Sequence, residues 1–143
     1  MKDIMLKIVG KQITYDQQDE DQMEFVTEGK MYEKNGAWYI VYEESEVSGQ
    51  PGCKTSLKFK GETVRMKRFA GKGGRDTVIE FEKGRRFAVM YDTPFGGIEM
   101  EVLTNSLENN LDETGRGSVS IDYDISLKGL SEGRSLLSIE ILN

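Results

Sequence analysis

Apolar and polar residues alternate with a period of two along much of this chain. In the clearest stretch, from Val119 to Leu127, apolar side chains occupy every odd position and serine or aspartate every even one. Successive side chains of a strand point to opposite faces, so this pattern predicts a strand with one buried face. The best helical candidate, residues 105–111, is short and weakly patterned. The alternation therefore predicts an all-β protein.

Turn-forming residues divide the alternating segments at nearly regular intervals. The pair Asn35-Gly36 is typical of a two-residue hairpin turn, because both residues readily take positive φ angles. Further breaks are expected at other glycine-rich stretches, among them Ser131-Glu132-Gly133. We predict ten strands, over roughly residues 3–14, 22–34, 37–46, 53–60, 63–70, 76–82, 86–93, 98–107, 117–128 and 134–142.

The short connections favour pairing between strands that follow one another in sequence. A long twisted meander with one apolar face tends to close, because closure removes its exposed edges. We therefore predict a single antiparallel meander β-barrel of about 8–10 strands, forming one domain over residues 1–143. A two-sheet sandwich is the alternative that fits the same alternation.

The composition excludes several classes of chemistry. The chain has no histidine and one cysteine, Cys53, which rules out Ser–His–Asp and Cys–His catalysis and histidine-based zinc sites. A lone thiol fits a reducing compartment, and the N-terminal residues lack the apolar core of a signal peptide. No apolar run is long enough to cross a membrane. We expect a cytoplasmic, non-enzymatic protein without a metal or cofactor.

Charge is unevenly distributed along a chain whose net charge is −6. Acidic residues are concentrated between Asp16 and Glu28, and basic residues between Lys54 and Arg75. Such runs usually form the solvated faces of strands. The net negative charge also disfavours a dedicated nucleic-acid-binding function.

Short motifs in a fixed order resemble a known family. They are Glu28-Gly29-Lys30, Tyr42-Glu43-Glu44-Ser45, the stretch from Arg65 to Arg68, Tyr91-Asp92-Thr93-Pro94-Phe95-Gly96 and Gly117…Ile121-x-Tyr123. Together they resemble the YwiB-like family of bacterial β-barrel proteins. The resemblance implies a calycin-like (lipocalin-type) barrel and a cytosolic bacterial home. It implies no activity and no site residues.

Strand parity predicts which polar side chains share the interior. If Trp38, Val64, Phe87 and Val119 point inward at one end, positions counted by twos along the same strands also point inward. Odd-numbered strands of a meander run in one direction, so their C-terminal ends meet at one rim. Close to Cys53 and Thr55, this rim would gather Tyr42, Glu44, Arg68, Tyr91, Thr93 and Tyr123.

A polar mouth of this kind is suited to a small ligand. Arginine offers a fixed fork of donors, and tyrosines combine an apolar ring with a hydrogen-bonding hydroxyl. We therefore expect that a small anionic or amphipathic molecule binds at the barrel mouth. The alternative is purely structural, with Arg68 paired to Glu44, because an unpaired buried charge is very costly.

A second hypothesis concerns the outer surface. Five basic residues share outward parity on two adjacent predicted strands and would form a basic stripe: Lys54, Lys58, Lys60, Arg65 and Lys67. Such a stripe suits a nucleic-acid or protein partner. Against a nucleic-acid partner, we expect these basic faces to lack interleaved aromatic residues, which stack on bases. The sequence also leaves open a homodimer formed through an exposed strand.

Overall fold

The alternating segments form ten antiparallel strands in a computed structural model, which describes residues 2–15, 19–44, 53–69, 76–93, 96–128 and 131–142. Side chains of residues 19, 91–93 and 131 lie outside this description. The strands are β1 (Lys2–Thr14), β2 (Asp19–Lys34), β3 (Ala37–Glu43), β4 (Lys54–Lys60), β5 (Thr63–Phe69), β6 (Thr77–Glu82), β7 (Arg86–Thr93), β8 (Gly96–Asn109), β9 (Gly117–Leu127) and β10 (Ser131–Ile141).

One sheet contains all ten strands and curls into a nearly closed barrel. Sequence neighbours pair from β1 to β6 and from β7 to β10, and the ladder between β1 and β10 joins these two halves into one sheet. Within the described strands, no ladder joins β6 to β7. At one end of this seam the Gly84 amide donates to the Thr104 carbonyl oxygen at 2.8 Å. The predicted meander barrel is confirmed, with one unpaired seam, and the two-sheet alternative is wrong.

The observed strand limits follow the predicted ones, and the differences have local causes. Asn35 and Gly36 have φ angles of 53° and 76°, as the hairpin prediction requires. The break predicted at Ser131-Glu132-Gly133 is wrong, because these residues belong to β10. A Cβ at Gly133 would lie 2.5 Å from the carbonyl oxygen of Ile13. This glycine therefore allows the close approach of two strands rather than a turn.

The weak helical candidate at residues 105–111 is instead the end of a strand. β8 continues to Asn109, and its register with β9 shifts between Thr104 and Ser106. The shift marks a β-bulge at Asn105, where two residues of one strand oppose one of the other. A bulge interrupts the period of two, which explains why the sequence pattern is weak here.

Inward side chains fill the barrel with an apolar core. The alternation assigns odd positions of β9 and even positions of β3 to the interior, as predicted. Among the most deeply buried side chains are Leu6, Ile40, Leu57, Phe59, Val64, Phe81, Val102, Val119, Ile121 and Ile139. Most of this core comes from aliphatic residues whose shapes suit a pleated surface.

The loop between β8 and β9 covers one end of the barrel. Its Asp112 Oδ1 accepts hydrogen bonds from the Thr114 amide at 2.8 Å and the Thr114 hydroxyl at 2.6 Å. Gly115 is buried there, and a Cβ on it would meet the side chains of Met31 and Trp38. Trp38 thus lies at the apolar end that the sequence predicted.

We expect Gly117→Ala to lower the free energy of unfolding by more than Gly36→Ala. Both glycines have positive φ angles, 130° and 76°, which cost an alanine about 1–3 kcal/mol. A Cβ at position 117 would also clash with the carbonyl oxygen of Asn110, whereas the space around Gly36 is open. Urea unfolding of the two variants measures the difference, and equal losses would contradict it.

Candidate functional site

A cavity of about 550 Å³ lies inside the barrel. This volume falls within the range of ~300–1,000 Å³ typical of small-molecule pockets. Much of its wall is apolar and comes from strands around the sheet, including Phe25, Met66, Ile79, Phe81, Met100 and Ile125. The cavity is therefore a largely apolar recess of ligand size, with exposed residues such as Gln22 and Met23 along part of its lining.

Four of the six predicted mouth residues line this cavity: Tyr42, Glu44, Arg68 and Tyr123. They come from β3, the residue after it, β5 and β9. The side chains of Tyr91 and Thr93 lie outside the described residues, although their backbones pair with β8. The prediction that alternate positions of each strand point inward thus placed these four polar residues of separate strands correctly around one cavity.

Glu44 is the centre of the polar cluster. Its side chain is 0% exposed, and its Oε1 accepts a hydrogen bond from the buried Thr55 hydroxyl at 2.6 Å. The Arg68 guanidinium approaches the same oxygen, with Nη2 at 3.5 Å. The amide of Glu44 donates to the carbonyl oxygen of Cys53 at 2.8 Å, which fixes the backbone at the end of β3. The predicted Glu44–Arg68 pair is therefore present, at a long distance.

Two polar atoms of this pair have no hydrogen-bond partner among the described residues. They are Glu44 Oε2 and Arg68 Nε, and both are buried. Buried polar groups are nearly always paired, so unpaired ones call for an explanation. Both belong to residues that line the cavity.

The two tyrosines are held in their protonated form. Burial raises the pKa of Tyr42 well above its usual range, and the negative charge of Glu44 raises this pKa further. Burial also raises the pKa of Tyr123, partly offset by a hydrogen bond with Ser135 and by the positive charge of Arg68. Both hydroxyls thus remain hydrogen-bonding groups without charge at neutral pH.

Aromatic contacts support the tyrosines from neighbouring and facing strands. The ring centroids of Phe25 and Tyr42 are 6.4 Å apart, and those of Phe81 and Tyr123 are 4.9 Å apart. Sequence reasoning did not select the partners Phe25, Phe81 and Ser135. For Ser135 a signal was available, because a polar residue at an inward position of β10 stands among apolar ones.

The predicted basic stripe lies on the outer face of β4 and β5, where Lys58 pairs in register with Arg65. Lys58 Nζ lies 5.7 Å from the centroid of the Tyr39 ring, and Lys67 Nζ lies 4.8 Å from that of Phe69. The expectation that aromatic residues are missing from this face is wrong, because Tyr39 comes from the adjacent strand β3. Lys54 and Lys60 of the same stripe are exposed.

The acidic stretch of β2 pairs with lysines of β1 on the outer surface. Lys7 Nζ lies 3.0 Å from Glu24 Oε1, and Lys11 Nζ lies 2.9 Å from Glu20 Oε1. Exposed pairs of this kind contribute little to stability, about 0–1 kcal/mol. This stretch is therefore a solvated strand face, as its charge pattern predicted.

Two features are absent from the part of the chain that the structure describes. There, no cluster of three or more acidic or cysteine side chains is arranged to hold a metal ion. No helix in these ranges is long and apolar enough to cross a membrane.

Comparisons with known proteins agree with the barrel. A family model described as "Domain of unknown function (DUF1934)" matches residues 6–139. The chain is 31% identical over 116 residues to the uncharacterized β-barrel protein YwiB of Bacillus subtilis (strain 168), covering 80% of this chain and 77% of that protein. The crystal structure of ywiB protein from Bacillus subtilis superposes with a TM-score of 0.73 at 24% identity, covering 99% of this chain and 94% of that one. The superposition supports the fold.

We expect the stability of the protein to fall as the pH rises above about 10, the usual tyrosine pKa. A tyrosine whose folded pKa is raised contributes stability that is complete below the unfolded pKa and is lost as the pH rises through the folded pKa. Tyr42→Phe should make the free energy of unfolding fall less steeply with pH in this range. The slope should be smaller by up to about 1.4 kcal/mol per pH unit.

Urea unfolding at a series of alkaline pH values measures this slope. Tyr39→Phe, on the outer face, is the matched control and should leave the slope nearly unchanged. If Tyr42→Phe and Tyr39→Phe alter the slope equally, the buried hydroxyl is not its origin.

Proposed function

The chain belongs to the DUF1934 family of β-barrel proteins, and on that premise we propose that it binds a small amphipathic molecule inside the barrel. The apolar part of the ligand lies against the aliphatic and aromatic wall of the cavity. Its polar group lies against the cluster of Tyr42, Glu44, Arg68 and Tyr123. The protein acts as a binding protein, without catalysis.

The observation that carries this proposal is the pair of unpartnered buried atoms beside an apolar cavity. A purely structural ion pair would direct its polar atoms at each other, but Glu44 Oε2 and Arg68 Nε have no partner among the described residues. Leaving a buried polar group unsatisfied costs about 1–3 kcal/mol. A ligand that pairs with both atoms recovers this free energy in addition to that of its buried apolar surface.

The absence of histidine supports the non-enzymatic part of the proposal. Acid–base catalysis needs a group that exchanges protons near neutral pH. The buried tyrosines are poorly suited to this role, since the pKa of each is raised. A lone cysteine, which cannot form an internal disulfide, fits the cytoplasmic location that we propose with it.

The outer basic stripe gives weaker support to a nucleic-acid or protein partner. Its lysines adjoin the aromatic rings of Tyr39 and Phe69, a combination that also occurs in nucleic-acid-binding surfaces. Lys58 and Lys67 already lie over these rings, however, and Arg65 Nε is 3.9 Å from a carboxylate oxygen of Glu80. The cavity offers unpartnered groups, and we therefore favour the interior site.

Binding of simple amphiphiles tests the proposed function. We expect at least one of decanamide, decanoate and decylamine, each at a concentration at which it is dissolved as monomers, to bind with a stoichiometry of one in calorimetry. The same compound should raise the melting temperature, since a ligand at a hundred times its Kd stabilises a protein by about 2.7 kcal/mol.

Two variants of β6 locate the bound molecule. Ile79→Phe adds volume inside the cavity and should abolish binding, whereas Val78→Phe adds the same group on the outward face and should not. Circular dichroism checks that both variants keep the β-sheet. Failure of all three compounds to bind, or equal binding by both variants, would contradict the interior site.

A further inference from the structure

We infer that the polar group accepted by this cavity is an uncharged amide-type edge, with one N–H donor beside one carbonyl acceptor. Carboxamides and lactams share this edge. The inference rests on the proposed function, because it concerns the chemistry of the ligand that the interior binds. It narrows the expectation from the sequence, which included anionic ligands on the strength of Arg68.

The charges around the cavity disfavour an anion. Its charged lining residues are Asp21, Glu44 and Arg68, so the lining carries one more negative than positive charge. The guanidinium of Arg68 already faces the Glu44 carboxylate, whose side chain is 0% exposed. A ligand carboxylate or phosphate would add a second negative charge beside a buried one, where like charges repel much more strongly than in water.

The two unpartnered atoms match the N–H donor and the carbonyl acceptor of an amide group. Glu44 Oε2 accepts hydrogen bonds, and Arg68 Nε donates one. A carboxamide donates its N–H to the first atom and accepts from the second with its carbonyl oxygen. A carboxylate has no donor for Glu44, and an ammonium group has no acceptor for Arg68. An amide edge is thus the simplest group that leaves neither buried atom unpaired.

The surrounding contacts hold these two atoms in position. The Thr55 hydroxyl and Arg68 Nη2 both approach Glu44 Oε1, which leaves Oε2 as the carboxylate oxygen without a hydrogen bond among the described residues. Thr55 is fully buried, and β4 pairs it in register with both Tyr42 and Arg68. The strand register therefore determines which oxygen of Glu44 is already bonded and which one a ligand would have to pair with.

Head-group ranking in the wild-type protein tests the inference. Decanamide, decanoate and decylamine share a chain length and differ in charge and in hydrogen-bonding groups. We expect calorimetry at neutral pH to give decanamide a Kd at least about tenfold lower than those of the other two, equivalent to about 1.4 kcal/mol.

Glu44→Gln should reverse the preference between amide and carboxylate. Glutamine has nearly the same shape, removes the negative charge and replaces one oxygen with an NH₂ donor. Decanoate can then accept hydrogen bonds from both position 44 and Arg68, and its Kd should fall by about tenfold or more. Glu43→Gln, at the neighbouring exposed position, is the matched control and should leave the ranking unchanged.

The outcomes separate this inference from the proposed function. If no compound binds, the proposed function fails, and the inference fails with it. If decanoate or decylamine binds the wild-type protein more tightly than decanamide, the inference is overturned while the binding function stands. The wild-type ranking is decisive even if Glu44→Gln does not fold.

Discussion

The interior of a nearly closed barrel is shared by every strand, and any polar group directed into it must find its partner there. Glu44 shows this constraint most clearly, because its carboxylate is fully enclosed. Thr55 and Arg68 reach it from β4 and β5, where the antiparallel register sets them side by side. The uncharged hydroxyl of Tyr42 lies beside this charge. The position of one carboxylate thus organises the polar half of the interior.

The interior is apolar near Trp38 and partly polar around Glu44, because different elements border these two regions. Near Trp38 the β8–β9 loop lies over the barrel, with the buried Gly115 packed against apolar side chains. Around Glu44 the lining is mixed, and apolar side chains alternate with hydrogen-bonding ones. This division gives the cavity its amphipathic character.

The sequence predicted the features that depend on local chemistry and parity. The alternation around Trp38 gave the correct facing of Tyr42 and Glu44, and Asn35-Gly36 gave the correct turn. Features that depend on strand neighbours were harder to predict. The glycine of Ser131-Glu132-Gly133 resembled a turn residue, although its role is set by the backbone of β1. The position of Tyr39 beside Lys58 likewise became visible only once β3 and β4 were in register.

The cavity itself could not be derived from the sequence. Parity identifies which side chains point inward, but the space between them depends on how the sheet curls and where it fails to pair. The seam between β6 and β7 is one such feature, since the short turn between them favours a hairpin. The unpartnered atoms of Glu44 and Arg68 are a further case, because parity places both side chains inward but does not say which of their atoms form hydrogen bonds.

The ladder between β1 and β10 has a consequence for how the protein folds. It joins Leu6 to Ile141 and Thr14 to Gly133, residues separated by most of the chain. The other ladders join strands adjacent in sequence and can form as local hairpins. Closing so long a loop carries a large entropic cost, and folding slows as contacts become more distant in sequence. The hairpins on either side of the seam are therefore expected to form first, and the terminal strands to meet last.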